Sequence, residues 1–79
     1  MVVYVSSVEP KENYNLFITF ENGEQGIFDC MPLLEKPVYK PLKNKSFFNT
    51  VKMKYGATTW NDQIDISPEH LYENSVKIK

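Results

Sequence analysis

Tyr14-Asn15-Leu16-Phe17-Ile18-Thr19-Phe20-Glu21-Asn22-Gly23-Glu24-Gln25-Gly26-Ile27-Phe28-Asp29 is the stretch that decides the fold. Its even positions Tyr14, Leu16, Ile18 and Phe20 are apolar at period two, which predicts a strand from Tyr14 to Glu21 with one face in a core. Asn22-Gly23 follows at once. Both residues tolerate positive φ, so a two-residue type I′ turn and a returning strand are expected. Such a turn sets Glu21 opposite Glu24, Ile18 opposite Ile27 and Phe17 opposite Phe28, with apolar pairs on both sheet faces.

Working outward, the β-branched and aromatic run from Val2 to Val8 predicts a first strand that Pro10 ends. After the hairpin, Asp29 is expected to cap a short helical turn through Cys30, Met31, Leu33 and Leu34, which Pro32 keeps to one or two turns. Pro37 and Pro41 should hold Val38 to Leu42 extended or irregular, and Asn44 should cap a short helix bearing Phe47 and Phe48. Val51, Met53 and Tyr55 alternate with Lys52 and Lys54, predicting a strand with apolar residues inward and lysines outward. Gly56 interrupts, and Ala57 to Trp60 reads as the returning strand. Ser67-Pro68 supplies an N-cap followed by proline at the first helical position, starting a helix from Pro68 to about Asn74. Val76 and Ile78 then form a short edge strand or a frayed end. The expected class is α+β: one domain over residues 1–79, mostly antiparallel sheet built from hairpins, with two or three short helices packed on it.

Seventy-nine residues at 42% hydrophobic suffice for one small core and exclude repeat arrays and multidomain enzymes. Eleven aromatics supply large buried areas without staples. Cys30 is the only cysteine, so no intrachain disulfide can form and a cysteine-based zinc site is excluded as an expectation. A reducing cytoplasm fits, with no basic leader and no apolar run long enough for a membrane span.

The formal charge is −1, yet it is unevenly spread. Residues 1–35 carry a balance of −5 and residues 55–79 a balance of −2. Residues 36–54 hold Lys36, Lys40, Lys43, Lys45, Lys52 and Lys54 with no acid, a balance of +6. One reading is a basic face for an acidic partner or an RNA backbone, with Tyr39, Phe47 or Phe48 to stack. The other is solvated lysines that pair with acids of other segments and guard a strand edge. All nine cations are lysines, and without arginine sequence-specific reading of DNA bases is disfavoured.

Candidate reactive groups are few. Cys30 and His70 are the only thiol and imidazole, so any nucleophilic dyad must use both; a buried structural cysteine and a solvent-facing histidine are the simpler expectations. Asp62, Asp65, Glu69 and His70 could surround a divalent cation, but their spacing matches no calcium loop, and acids beside a helix start are favourable on their own account. Gly23, Gly26 and Gly56 form no phosphate-cradling loop or nucleophile elbow, so an enzyme is not expected. Trp60, followed by Asn61, Asp62 and Gln63, is either an interface anchor or a core plug with its N–H bonded to a carbonyl.

Asn22-Gly23-Glu24 after an alternating strand, Asp29, Leu33-Leu34, Pro41-Leu42, Phe47, Val51 to Gly56, Trp60, Ile64-Asp65-Ile66-Ser67-Pro68 and Leu71-Tyr72 together resemble the bacterial domain of unknown function 2442 family. The resemblance implies a small α+β domain with no established activity and no catalytic residues to carry over. Some members resemble the N-terminal half of longer helix-turn-helix proteins, and others sit beside small companions in arrangements resembling toxin–antitoxin modules. This chain stops after Lys79 without a helix-turn-helix, which puts direct DNA regulation in doubt.

The expectation is therefore a non-enzymatic cytoplasmic interaction module, the accessory or antitoxin-like member of a two-gene pair, without cofactor or metal. Lys40, Lys43, Lys45, Lys52, Lys54, Trp60, Asn61 and Asp62 are its candidate contacts with a protein partner. RNA or nonspecific nucleic-acid binding through the same lysines is the alternative, and a metal-dependent enzyme centred on His70 the third.

Overall fold

The computed structural model describes residues 2–61 and 64–78. Seven strands form two antiparallel sheets. The larger has the order β1 (Val5–Pro10), β2 (Asn15–Phe20), β3 (Gln25–Asp29), β7 (Val76–Lys77); the smaller has the order β4 (Lys52–Lys54), β5 (Ala57–Asn61), β6 (Ile64–Ile66). Helix α1 (Lys45–Phe48) precedes the second sheet, and α2 (Pro68–Asn74) joins it to β7. The family resemblance's α+β class is the observed one.

The central hairpin forms with a register one residue away from the expected one. Leu16 faces Phe28, Phe17 faces Ile27 and Ile18 faces Gly26. The loop is three residues, closed by Phe20 N–H to the Glu24 carbonyl (2.8 Å) and Gly23 N–H to the Phe20 carbonyl (3.0 Å). Only Gly23 has positive φ there (+91°), the pattern of a turn followed by a left-handed residue. The slip has a physical reason: with period-two side chains, one residue of register exchanges the faces of a whole strand. The observed pairing puts Leu16, Ile18, Phe20, Phe28 and the following Cys30 together in the core, whereas the expected one divides them.

The two-residue turn with both central residues at positive φ occurs instead between β4 and β5, at Tyr55 (+55°) and Gly56 (+79°), where Lys54 pairs with Ala57. The β4 strand is accordingly shorter than the alternation from Val51 to Tyr55 suggested. Met53 lies on the same sheet face as Thr58 and Ile66, but it stays 40% exposed because β4 is the sheet's edge, and Tyr55 at the tip is 88% exposed. Val5 N–H donates to the Gly56 carbonyl (2.8 Å), which stitches the second sheet to the outer strand of the first.

Proline spacing determines the connection between the sheets. Residues expected to be extended or irregular from Val38 to Leu42 form a 3₁₀ segment, Pro37–Lys43, after another at Met31–Glu35. Each closes with i to i+3 hydrogen bonds that need no N–H from proline, and they deliver Leu34 and Leu42 to the core. Asp29 Oδ1 accepts from Met31 N–H (2.9 Å) in an aspartate turn that leads into the segment, whose N-cap position is Cys30 rather than the expected Asp29. Asn44 caps α1 through Ser46 and Phe47 N–H, and Ser67 caps α2 through His70 N–H (3.2 Å). Both helices match their expected starts. Pro10 is the last residue of β1 and ends it as expected, tolerated there because β1 is an edge of its sheet, but the strand begins at Val5 rather than Val2. Strand β6 is an element that the sequence reading did not anticipate.

One core cluster joins both sheets, drawing Val5, Leu16, Ile18, Phe20 and Phe28 from the first and Trp60, Ile64 and Ile66 from the second, with Phe48 and Leu71 from the helices. Edge-to-face contacts of Phe20 with Tyr72 (5.1 Å) and Tyr14 with Phe48 (5.3 Å) lock α2 and α1 onto it.

Candidate functional site

Trp60 is the candidate contact that the fold withdraws. It is 4% exposed and donates its Nε1–H to the Phe48 carbonyl at 2.9 Å, the core-plug arrangement. It lies in β5 between Thr59 and Asn61, against Phe48, because the sheet turns that side inward. Asn61 is exposed and its Oδ1 accepts Ile64 N–H (2.8 Å), fixing the turn into β6. Asp62, with Gln63, lies outside the described residues.

The lysines remain at the surface. Lys36, Lys40, Lys43, Lys45, Lys52 and Lys54 are all exposed. Among the described residues the one ion pair joins Lys11 and Glu9 (3.4 Å), so Lys36, Lys40, Lys43, Lys45 and Lys52 make none with a described acid. They do not all gather at one point. Tyr14 brings two together: its hydroxyl donates to the Lys43 carbonyl, and Lys45 Nζ lies 5.9 Å from its ring. Lys52 and Lys54 share the outer face of the second sheet by strand parity. Thr59 is opposite Lys52, and Asp65 is opposite Thr59, so a carboxylate lies two strands, about 9–10 Å, from Lys52 on that face.

Of the aromatics expected to stack on bases, Phe48 is buried, and Phe47 and Tyr39 are half-buried against the core. Tyr39 also spends its hydroxyl on the Asp65 carbonyl (3.2 Å). Tyr55 is the exposed aromatic beside the lysines, with Lys54 Nζ 5.6 Å from its ring. The sequence reading missed it by assigning it inward; the signal available was a Tyr-Gly pair between two alternating runs.

Cys30 is fully buried, and burial with the Asp29 charge pushes its thiol up to about 12. It is therefore protonated at neutral pH and lacks thiolate character. His70 is exposed on α2, its ring edge-on to Phe28 at 5.7 Å. No group of three His, Cys, Asp or Glu side chains among the described residues is placed to hold a metal ion. No helix among them is long and apolar enough to cross a membrane.

No curated protein and no solved structure matches the chain. The profile of one family, described as a protein of unknown function (DUF2442), matches residues 5–77, a span running from the first residue of β1 to the last of β7. With every strand and helix of both sheets inside that match, the chain belongs to the DUF2442 family.

Proposed function

We propose that this protein is a non-enzymatic interaction module that docks an acidic protein surface through the tip and outer face of the β4–β5 hairpin. Tyr55 carries the reading. A tyrosine at φ +55° costs roughly 1–2 kcal/mol relative to an ordinary backbone conformation, and at 88% exposure its ring returns almost nothing in burial. Asparagine or glycine would satisfy the same turn without strain. An aromatic kept where it destabilises the free chain, beside Lys52 and Lys54, has the makings of an interface anchor. Lys40, Lys43 and Lys45 lie apart from the hairpin pair and would act only at longer range, steering a negatively charged partner. In the setting of a two-gene pair, that partner is the companion protein. RNA is the weaker reading, because Tyr39, Phe47 and Phe48 are engaged with the core and leave no row of stacking platforms.

The test pairs two measurements on Tyr55→Asn. Its unfolding midpoint should rise, and the stoichiometric partner copurified with the parent protein in nuclease-treated extract should be lost, as it should with Lys52→Glu. Retention of that partner by both variants, or recovery of the parent protein alone, overturns the proposal. Nuclease-sensitive recovery of RNA would favour the alternative.

A further inference from the structure

A groove open to solvent runs between the 3₁₀ segment Met31–Glu35 and α2, with no residue of the β4–β5 hairpin in its lining, and has a volume of about 700 Å³. This is in the range that buries a small ligand. Its apolar lining comes from Ile27 and Phe28 of β3, Pro32, Leu33 and Val76. A second hollow of about 300 Å³ adjoins it, lined by Tyr39, Ile66 and Ser67, and the two share Leu33, Lys36 and His70. Lys36 and His70 thus border both a mainly apolar groove and a smaller, more polar hollow.

We propose that this groove binds a small amphiphilic carboxylate, with its apolar body along Ile27, Phe28, Leu33 and Val76 and its carboxylate between Lys36 and His70. Charge and hydrogen bonding select that head group. Lys36 is exposed and has no ion pair among the described residues. His70 Nδ1 lies 3.5 Å from the Asn74 amide nitrogen, which also donates to the His70 carbonyl at 2.8 Å. With that nitrogen as donor, Nδ1 is the acceptor, and the resulting tautomer leaves Nε2–H to donate to an anion. Asp29 is the one carboxylate in the lining; its Oδ1 accepts Met31 N–H, but its charge remains and offsets part of that of Lys36, so the preference for an acid rests on Lys36 together with the His70 Nε2–H. An apolar ligand with a neutral head would leave the ammonium and the Nε2–H without a new partner, so the site should prefer the acid.

The probe is decanoate, below its micelle concentration, titrated into isotope-labelled protein and followed by amide chemical shifts, with decanol as the neutral comparison. Saturable shifts are expected at Phe28, Leu33, Lys36, His70 and Asn74, with decanoate binding at least tenfold more tightly than decanol. Lys36→Gln, at an exposed position, should abolish most of that preference while leaving decanol binding unchanged. Val76→Glu, at a position 71% exposed on the groove wall, should weaken both probes. Absence of saturable shifts, equal affinity for acid and alcohol, or shifts centred outside the groove would overturn the proposal. None of these outcomes depends on the β4–β5 hairpin or its partner.

Discussion

Substituting Gly56 by alanine tests how the two sheets are joined. Gly56 has φ +79°, so any Cβ costs roughly 1–2 kcal/mol in backbone strain alone. That Cβ would also stand 2.5 Å from Tyr4 Cδ1 and 2.9 Å from Tyr4 Cβ and Cγ. The ring is half-exposed and can swing away, but Tyr4 Cβ is tied to its backbone. That backbone is held on both sides: the Tyr4 carbonyl accepts Glu21 N–H at 2.8 Å, and Val5 N–H donates to Gly56 itself at 2.8 Å. Relieving the clash therefore means loosening the bond between the sheets, an overpacking cost of typically about 1–3 kcal/mol. Together the two effects amount to about 2–5 kcal/mol, against a total of roughly 4–12 kcal/mol for a chain of this length. Even the lower figure should depress Tm by roughly 8–16 °C. Gly23→Ala is the matched control, because Gly23 has φ +91° but nothing within 4 Å of its would-be Cβ. It should pay the backbone strain and no more. Urea denaturation of both variants gives the comparison, and equal losses, within about 0.5 kcal/mol, would refute the Tyr4 clash as the joint between the sheets.

Trp60 fluorescence should be blue-shifted and shielded from iodide in the folded protein, and Trp60→Phe should cost about 1–3 kcal/mol through the lost Nε1–H bond and the space left by the smaller ring, the Phe48 carbonyl keeping its bond from Val51 N–H at 3.3 Å; free quenching would refute its burial. The Thr58 hydroxyl is buried without a hydrogen-bond partner among the described residues. Thr58→Val should consequently stabilise the fold by about 1 kcal/mol in chemical denaturation, and a loss instead would reveal a bond to that hydroxyl. The Tyr72 hydroxyl, then the Asn22 amide, hold the Glu24 carboxyl below its ordinary value of 4.5, so this contact stabilises above the ordinary carboxylate range and fades as pH falls through the lowered value. The same bond raises the Tyr72 hydroxyl, whose contribution is complete below a phenol's ordinary value and lost as pH rises through the raised one. Tyr72→Phe should thus flatten both flanks of the stability–pH curve, and an unchanged acid flank would refute the coupling.

Much of the fold was legible in local chemistry. Asn44 and Ser67-Pro68 mark their helices because capping is decided within four residues. The hairpin at residues 14–29 was legible as a hairpin but not in its register, since Asn-Gly suits both two- and three-residue loops. The deciding signal was parity: Leu16, Ile18, Phe20, Phe28 and Cys30 are all even, and only an even pairing sum keeps them on one face. Strand β6 escaped notice because three residues are too few to show a period, and it exists through pairing with β5. The 3₁₀ segments escaped for another reason: prolines exclude the α-helix but do not choose between extended chain and i to i+3 bonding. For the candidate contacts, exposure of the lysines was legible from their charge. Their separation into a Tyr14-centred pair and a β4 pair depends on where distant segments meet, which no local pattern encodes.

The aromatics with polar atoms explain why Trp60 takes the core-plug arrangement, one of its two expected readings, while Tyr55, expected inward, lies at the surface. Trp60, Tyr14, Tyr39 and Tyr72 each reach past the core and place a donor on an acceptor, respectively the carbonyls of Phe48, Lys43 and Asp65 and the Glu24 carboxylate. In each case a side chain from one element is fastened to an element distant in sequence, so a ring that looks like a surface anchor acts as an internal tie. Tyr4 and Tyr55 have no such acceptor among the described residues. They stand together around Gly56, Tyr4 packed against it and Tyr55 preceding it in the turn. The left-handed backbone at Tyr55 is a cost that a smaller residue would relieve, and its exposed ring, with the hydroxyl open to water, does not offset that cost by internal packing. That asymmetry is the reason for placing the proposed contact at the β4–β5 tip rather than on the tryptophan strand beside it.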